Sequence, residues 1–133
     1  MFYVPTLERV MKIEVSSGEI VDKLTILNIK LKNSNSEQKT EQILRELNYL
    51  KPLVKELNVS EDLVQELQEV NQKIWDTEDN IRLCEKNKQF DDTFVQLARD
   101  VYFNNDKRFE VKTKINQQTN SYINEQKILP KYN

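Results

Sequence analysis

The residues best suited to chemistry lie between Trp75 and Arg108. Trp75-Asp76-Thr77-Glu78-Asp79-Asn80-Ile81-Arg82 joins the only tryptophan to three carboxylates and an arginine, and Arg99 and the polar block Asn104-Asn105-Asp106-Lys107-Arg108 follow. Glu78 and Asp79 precede Arg82 by four and three positions, so on a helix either carboxylate can reach the guanidinium. Such a pair contributes only ~0.2–0.5 kcal/mol on an isolated helix. More would follow if Glu78 and Arg82 faced Arg99, Asn105, Asp106 and Arg108 on the next helix. The cluster would then be either a buried polar network or a pocket for a phosphate or carboxylate, groups that the guanidinium fork binds bidentately. Trp75, Glu78, Asp79, Arg82, Arg99, Asn105, Asp106 and Arg108 are therefore the candidate ligand-binding residues.

Histidine is absent. That removes Ser-His and Cys-His nucleophile pairs, histidine-based zinc sites and the usual general base near neutral pH. Carboxylates, lysine, tyrosine or a bound metal are left, and no catalytic residue stands out among them. One reading resembles the all-α nucleotide pyrophosphatases, in which paired acidic residues on neighbouring helices hold magnesium through carboxylate oxygens. Glu66 and Glu69 have the first spacing, yet Asp100 and Asp106 do not supply the second pair. Magnesium is expected only under that reading; otherwise neither metal nor cofactor is predicted. A chorismate-mutase-like pocket, holding a dicarboxylate with arginines and a lysine, has the arginines but no matching order of motifs.

These side chains need a scaffold, and composition points to helices. A length of 133 residues fits one domain, spanning 1–133. Residues are 38% hydrophobic and 32% charged, with a single glycine and three prolines to break the chain, a profile of narrow apolar stripes on helices. The formal net charge of −2 gives no general attraction to nucleic acid or anionic lipid. Cys84 has no second cysteine to pair with, which suits a reducing compartment. No apolar run reaches the ~18–20 residues that span a bilayer, and the first eleven residues lack a basic segment followed by a hydrophobic one. A soluble, cytoplasmic chain is expected, in the host cytoplasm if the source is viral.

In chain order, residues 1–15 read as an extended arm. Pro5 sets a turn and Met11–Val15 alternates apolar with charged residues, as a half-exposed strand does. With no second clear strand to join, the arm either lies on helices or pairs with a second copy. Met11 could serve as a second start, which leaves the role of residues 1–11 open.

Residues 16–119 read as a bundle of four main helices. Ser16 and Glu19 have capping-box spacing, and Ile20, Leu24, Leu27 and Leu31 follow in a stripe widened by Val21, Ile26 and Ile29, which makes the first helix central to the core. Asp22, Lys23 and Lys30 lie off that stripe and read as a solvated face. In the second helix Ile43, Leu47, Leu50, Val54 and Leu57 form a heptad-like seam, with a kink or a break expected near Leu50 because Pro52 cannot donate its backbone N–H. A capping signal in Asn58-Val59-Ser60-Glu61 opens a third helix with Leu63, Leu67, Val70, Ile74, Ile81 and Cys84 along its seam, interrupted by Thr77 and Glu78. Such a local inconsistency is where functional sites tend to lie. Phe90-Asp91-Asp92 starts a fourth helix, with an aspartate able to cap it, that buries Phe94, Leu97, Ala98, Val101 and Tyr102; it runs to about Thr119 with a polar collar at Asn104–Arg108, or else turns at Asn104-Asn105. The tail, residues 120–133, is apolar enough at Tyr122, Ile123, Ile128, Leu129 and Tyr132 to pack back on the bundle.

The run Lys12-Ile-Glu-Val-Ser-Ser-Gly-Glu-Ile-Val-Asp-Lys-Leu-Thr-Ile-Leu-Asn-Ile-Lys-Leu31, with Trp75–Arg82, Phe94-Val-Gln-Leu-Ala-Arg-Asp-Val-Tyr102, Asn105-Asp-Lys-Arg108, Asn116 and Ser121, resembles a small uncharacterised family of bacterial and phage all-α proteins. The resemblance covers the chain from about Met11 onward. It implies a coherent fold but no activity, with bacterial members sometimes encoded among glycan-assembly genes.

Two functions remain in view. The first is a small helical binding or assembly protein without catalysis of its own, forming a homodimer through the heptad-like seam of the second helix, its apolar tail or the aromatic set Trp75, Phe94, Tyr102, Phe103 and Phe109. The second is an enzyme or sensor that binds a phosphorylated or carboxylated small molecule, such as a nucleotide or sugar nucleotide, at a polar site between the third and fourth helices.

Overall fold

Three serines and one aspartate decide where the helices begin. In the structure, a computed structural model that describes residues 7–132, Ser16 Oγ accepts from the Glu19 N–H, Ser36 Oγ from Lys39, Ser60 Oγ from Leu63, and the Asp91 carboxylate from Thr93 and Phe94. Each bond satisfies a first-turn donor that the helix itself cannot, worth ~1 kcal/mol. These caps open α1 (Ser17–Lys32), α2 (Glu37–Leu57), α3 (Glu61–Lys86) and α4 (Asp92–Gln118). The protein is an all-α bundle, as its composition predicts, and no strand occurs among the described residues. α2 continues through Pro52 as one element, and α4 passes through Asn104-Asn105 without a turn. α2 ends where Asn58 adopts the left-handed conformation at φ 55°, which asparagine tolerates better than most residues.

α1 packs against all three other helices, and α3 packs along α4. Its wide stripe explains this: Val21 joins Leu67, Val70, Ile74, Val111 and Ile115 in one apolar cluster, while Leu27 joins Leu47 and Leu50 in another. Fully burying such side chains contributes about 1.5–3 kcal/mol each.

Both clusters sit at the α1 end of the molecule. Beyond Ile74 on α3 and before Val111 on α4, Cys84 is the one buried apolar residue among those described. The expected buried side of α4 is therefore a correction: Phe94, Leu97, Ala98 and Val101 are half-buried and Tyr102 is exposed, because neither α1 nor α2 contributes to the core there. The outer ends of α3 and α4 form a two-helix projection.

Residues 7–15 form no regular element, and Met11–Val15 runs beside Ile20, Tyr49, Leu50 and Leu53. The expected turn at Pro5 and the start of the arm lie outside the described residues. After α4 the tail folds back, but not through the apolar face expected of it: Tyr122, Ile128, Leu129 and Tyr132 are exposed, and contacts come from Lys127 and the rim of the Tyr132 ring. Lys127 Nζ donates to the Asn105 carbonyl at 3.3 Å and lies 5.4 Å from the Phe109 ring centroid, and the Tyr132 ring stacks edge-on against Tyr102 and Phe103. No described helix is long and apolar enough to cross a membrane.

Candidate functional site

Charge is concentrated where α1, α3 and α4 meet. Every fourth residue on one face of α4, Arg108, Lys112 and Asn116, points at the first turns of α1. The Gly18 N–H donates to Asn116 Oδ1 at 2.6 Å and the Ser17 N–H donates to Ser121 Oγ at 3.0 Å, so the start of α1 is capped from the far end of the chain as well as by Ser16. The approach is close enough to require glycine: a Cβ on Gly18 would stand 2.6 Å from the Lys112 carbonyl oxygen and 2.9 Å from Asn116 Oδ1.

One turn further, Asp22 is 1% exposed. Arg108 grips it with both arms of the guanidinium, Nε donating to Oδ1 at 2.9 Å and Nη2 to Oδ2 at 2.5 Å. Asn71 of α3 donates through Nδ2 to Asp22 Oδ1 at 2.9 Å and to Thr25 Oγ1 at 2.8 Å, and the Thr25 hydroxyl donates to the Asp22 carbonyl. Lys112, its side chain 8% exposed, sits 2.8 Å from both Glu19 Oε2 and Glu125 Oε2. Among the described residues no buried side-chain polar atom lacks a partner.

This electrostatic arrangement favours holding charge over moving protons. The hydrogen bond to Asp22 raises the Arg108 pKa against the opposing effect of burial. Burial alone would lower the Lys112 pKa, but hydrogen bonds to Glu125 and Glu19 outweigh it and leave the ammonium above the usual lysine range. A lysine held protonated is neither a base nor a nucleophile. In the recess above these groups, about 300 Å³ and bordered also by Asn105, Phe109 and Lys127, Arg108 and Lys112 are already matched by carboxylates, while Lys127 rests on the Asn105 carbonyl and the Phe109 ring.

Asp22 is the residue that periodicity assigned to a solvated face, and its burial corrects that expectation. The signal was present as a second stripe: Gly18, Asp22 and Thr25 recur at four and three positions, and Arg108, Lys112 and Asn116 at four and four. Lys23 and Lys30 are exposed as expected.

The candidate residues between Trp75 and Arg108 do not converge. Glu78 and Arg82 pair within α3 at 3.6 Å, with Arg82 74% exposed. The Arg99 guanidinium lies 5.8 Å over the Phe103 ring, and Asp106 accepts from the Tyr132 hydroxyl, whose pKa is raised by that bond. Asp79 is exposed. Asn105 and Arg108 share the recess on α4, whereas no hydrogen bond or ion pair among the described residues joins Glu78 or Arg82 to Arg99 or Arg108. The expected meeting fails because Arg108 turns inward to α1. Glu66 likewise faces Lys107 and Lys114, and Glu69 accepts from Gln65. Among the described residues no group of three acidic or cysteine side chains is placed to hold a metal ion.

Trp75 lies apart, half-buried in the wall of a cleft of about 610 Å³. The end of α1 contributes Lys30, the start of α2 contributes Gln38, Lys39, Gln42 and Ile43, and the loop between them closes one side.

No curated protein and no solved structure matches the chain. Residues 11–132, covering both the charged junction and the Trp75 cleft, match the family of unknown function DUF6165, and the chain belongs to that family.

Proposed function

We propose that the chain is a helical binding and assembly protein without catalysis of its own, which pairs with a second copy through the outer ends of α3 and α4. The observation that carries this reading is the apolar projection: Leu83, Phe90 and Val95 are 54%, 56% and 53% exposed on a segment that the core does not reach. Half-buried Ile81, Phe94 and Leu97 extend the same segment. Two helices alone cannot enclose an apolar face, but two such pairs form a four-helix bundle. The tip also carries both signs, with Lys86 and Lys88 before the turn and Asp91 and Asp92 after it, so a two-fold axis can set each basic end against an acidic one. The reading without catalysis is supported by the junction, where Arg108 and Lys112, the two inward cations, are already held by carboxylates. A bacterial or phage source and a cytoplasmic location accord with the family resemblance and with the lone, buried Cys84.

Light scattering after size exclusion tests the pairing. The 15.9 kDa chain should elute with twice its mass at tens of micromolar. A monomeric mass across that range would overturn the reading.

A further inference from the structure

The Trp75 cleft differs from the junction in one respect that bears on ligands: Asn33 and Ser34 of its loop are hydrogen-bonded, but most of its long polar side chains are unspent. Lys30, Gln38 and Gln42 have no hydrogen-bond or ion-pair partner among the described residues, and Lys39 Nζ has one long contact, 3.5 Å to Asn35 Oδ1. The lining includes two lysines and no carboxylate, in a chain whose net charge is −2. Its apolar surface is an indole beside Ile43. The volume of about 610 Å³ falls within the ~300–1,000 Å³ typical of small-molecule sites.

We infer that this cleft binds a planar heteroaromatic molecule carrying a phosphate, of the nucleoside monophosphate class. The ring stacks on the Trp75 indole, an interaction that accepts any base because every base has a π-face. Lys30 and Lys39 meet the phosphate as point charges. Gln38 and Gln42 each offer an amide donor and acceptor to the polar edge of the ring. The site lies at the meeting of α1, α2 and α3, away from the α3–α4 projection, so it does not depend on the pairing proposed above.

Trp75 is the only tryptophan, which makes its fluorescence a direct report on the cleft. The full chain is titrated with AMP, GMP, CMP and UMP, and separately with the matching nucleosides and with inorganic phosphate. Saturable quenching is expected with at least one monophosphate, with the nucleoside and phosphate each binding at least about tenfold more weakly. The Lys30→Ala/Lys39→Ala variant, altered only at the cleft rim, should weaken that monophosphate by at least about tenfold while retaining its circular dichroism spectrum and melting temperature. Four outcomes overturn the inference: no saturable change with any monophosphate up to about 10 mM, equal binding of nucleoside and monophosphate, equal binding of phosphate alone, or unchanged affinity in the folded double variant.

Discussion

Asp22 and Arg108, 86 positions apart, form a two-pronged ion pair that fixes α1 against α4. The carboxylate is 1% exposed and receives a third bond from Asn71, so three helices are registered on one side chain. A buried pair of this kind adds little net stability over a well-packed apolar pair, because both charges lose their hydration; removing one partner is what costs. Its contribution is geometric, setting how far α1 slides along α4.

Single and double substitutions separate these effects. Asp22→Asn or Arg108→Met should each lower unfolding free energy in urea by about 3–5 kcal/mol, while Asp22→Leu/Arg108→Met should lose far less than the sum. Strict additivity of the two changes would contradict the paired role.

Gly18→Ala pits two effects of opposite sign. In a helix interior alanine is favoured over glycine by about 1 kcal/mol. Here its methyl would stand 2.6 Å from the Lys112 carbonyl oxygen, which is backbone and cannot swing away. A lower melting temperature is expected, by several degrees for a loss of about 1 kcal/mol; a rise would show that α1 and α4 are less tightly apposed.

Lys112 gives the protein an alkaline limit. Its pKa is raised in the folded chain, so its contribution to stability is complete below the free-lysine value of about 10.4 and is lost as pH climbs through the folded value. Urea midpoints measured from pH 8 to 11.5 should therefore fall more steeply in the parent than in Lys112→Met. Parallel curves would count against the Glu19–Lys112–Glu125 bridge.

Charge placed on the projection should undo pairing while sparing the fold. Leu83→Glu/Val95→Glu alters exposed positions outside both apolar clusters. The double variant should scatter light as a monomer and keep its helical circular dichroism. Retention of the paired mass would move the interface elsewhere.

How much could be read from residue order depended on range. Capping signals act over about three positions, and those at Ser16, in Asn58–Glu61 and in Phe90–Asp92 each lie at a helix start, where Ser16, Ser60 and Asp91 turn out to be the caps. Apolar spacing likewise identifies Leu27, Leu47, Leu67, Val70 and Ile74 as buried. Asp22 was missed because hydropathy along α1 marks it only as polar; the stripe it shares with Gly18 and Thr25 gains meaning only beside Arg108 on α4, which decides its burial. The dense run from Trp75 to Arg82 misled for the converse reason: neighbours along a helix share sequence but not direction, so Trp75 faces α1 and α2 while Arg82 faces solvent and Glu78.

The junction also imposes a schedule on synthesis. Ser16 through Asp22 leave the ribosome long before Arg108, Lys112, Asn116 and Ser121, and at ~5–20 residues per second the gap of 86 positions lasts several seconds. During that interval α1 and α2 can associate through Leu27, Leu47 and Leu50, but the Asp22 carboxylate stays hydrated. α3 then brings Asn71 to it, and the emergence of α4 with Arg108 supplies the charge that completes its burial. A nascent chain interrupted before Arg108 therefore leaves α1 loosely held and open to proteolysis, so the same ion pair that sets helix register also marks a chain translated far enough to close.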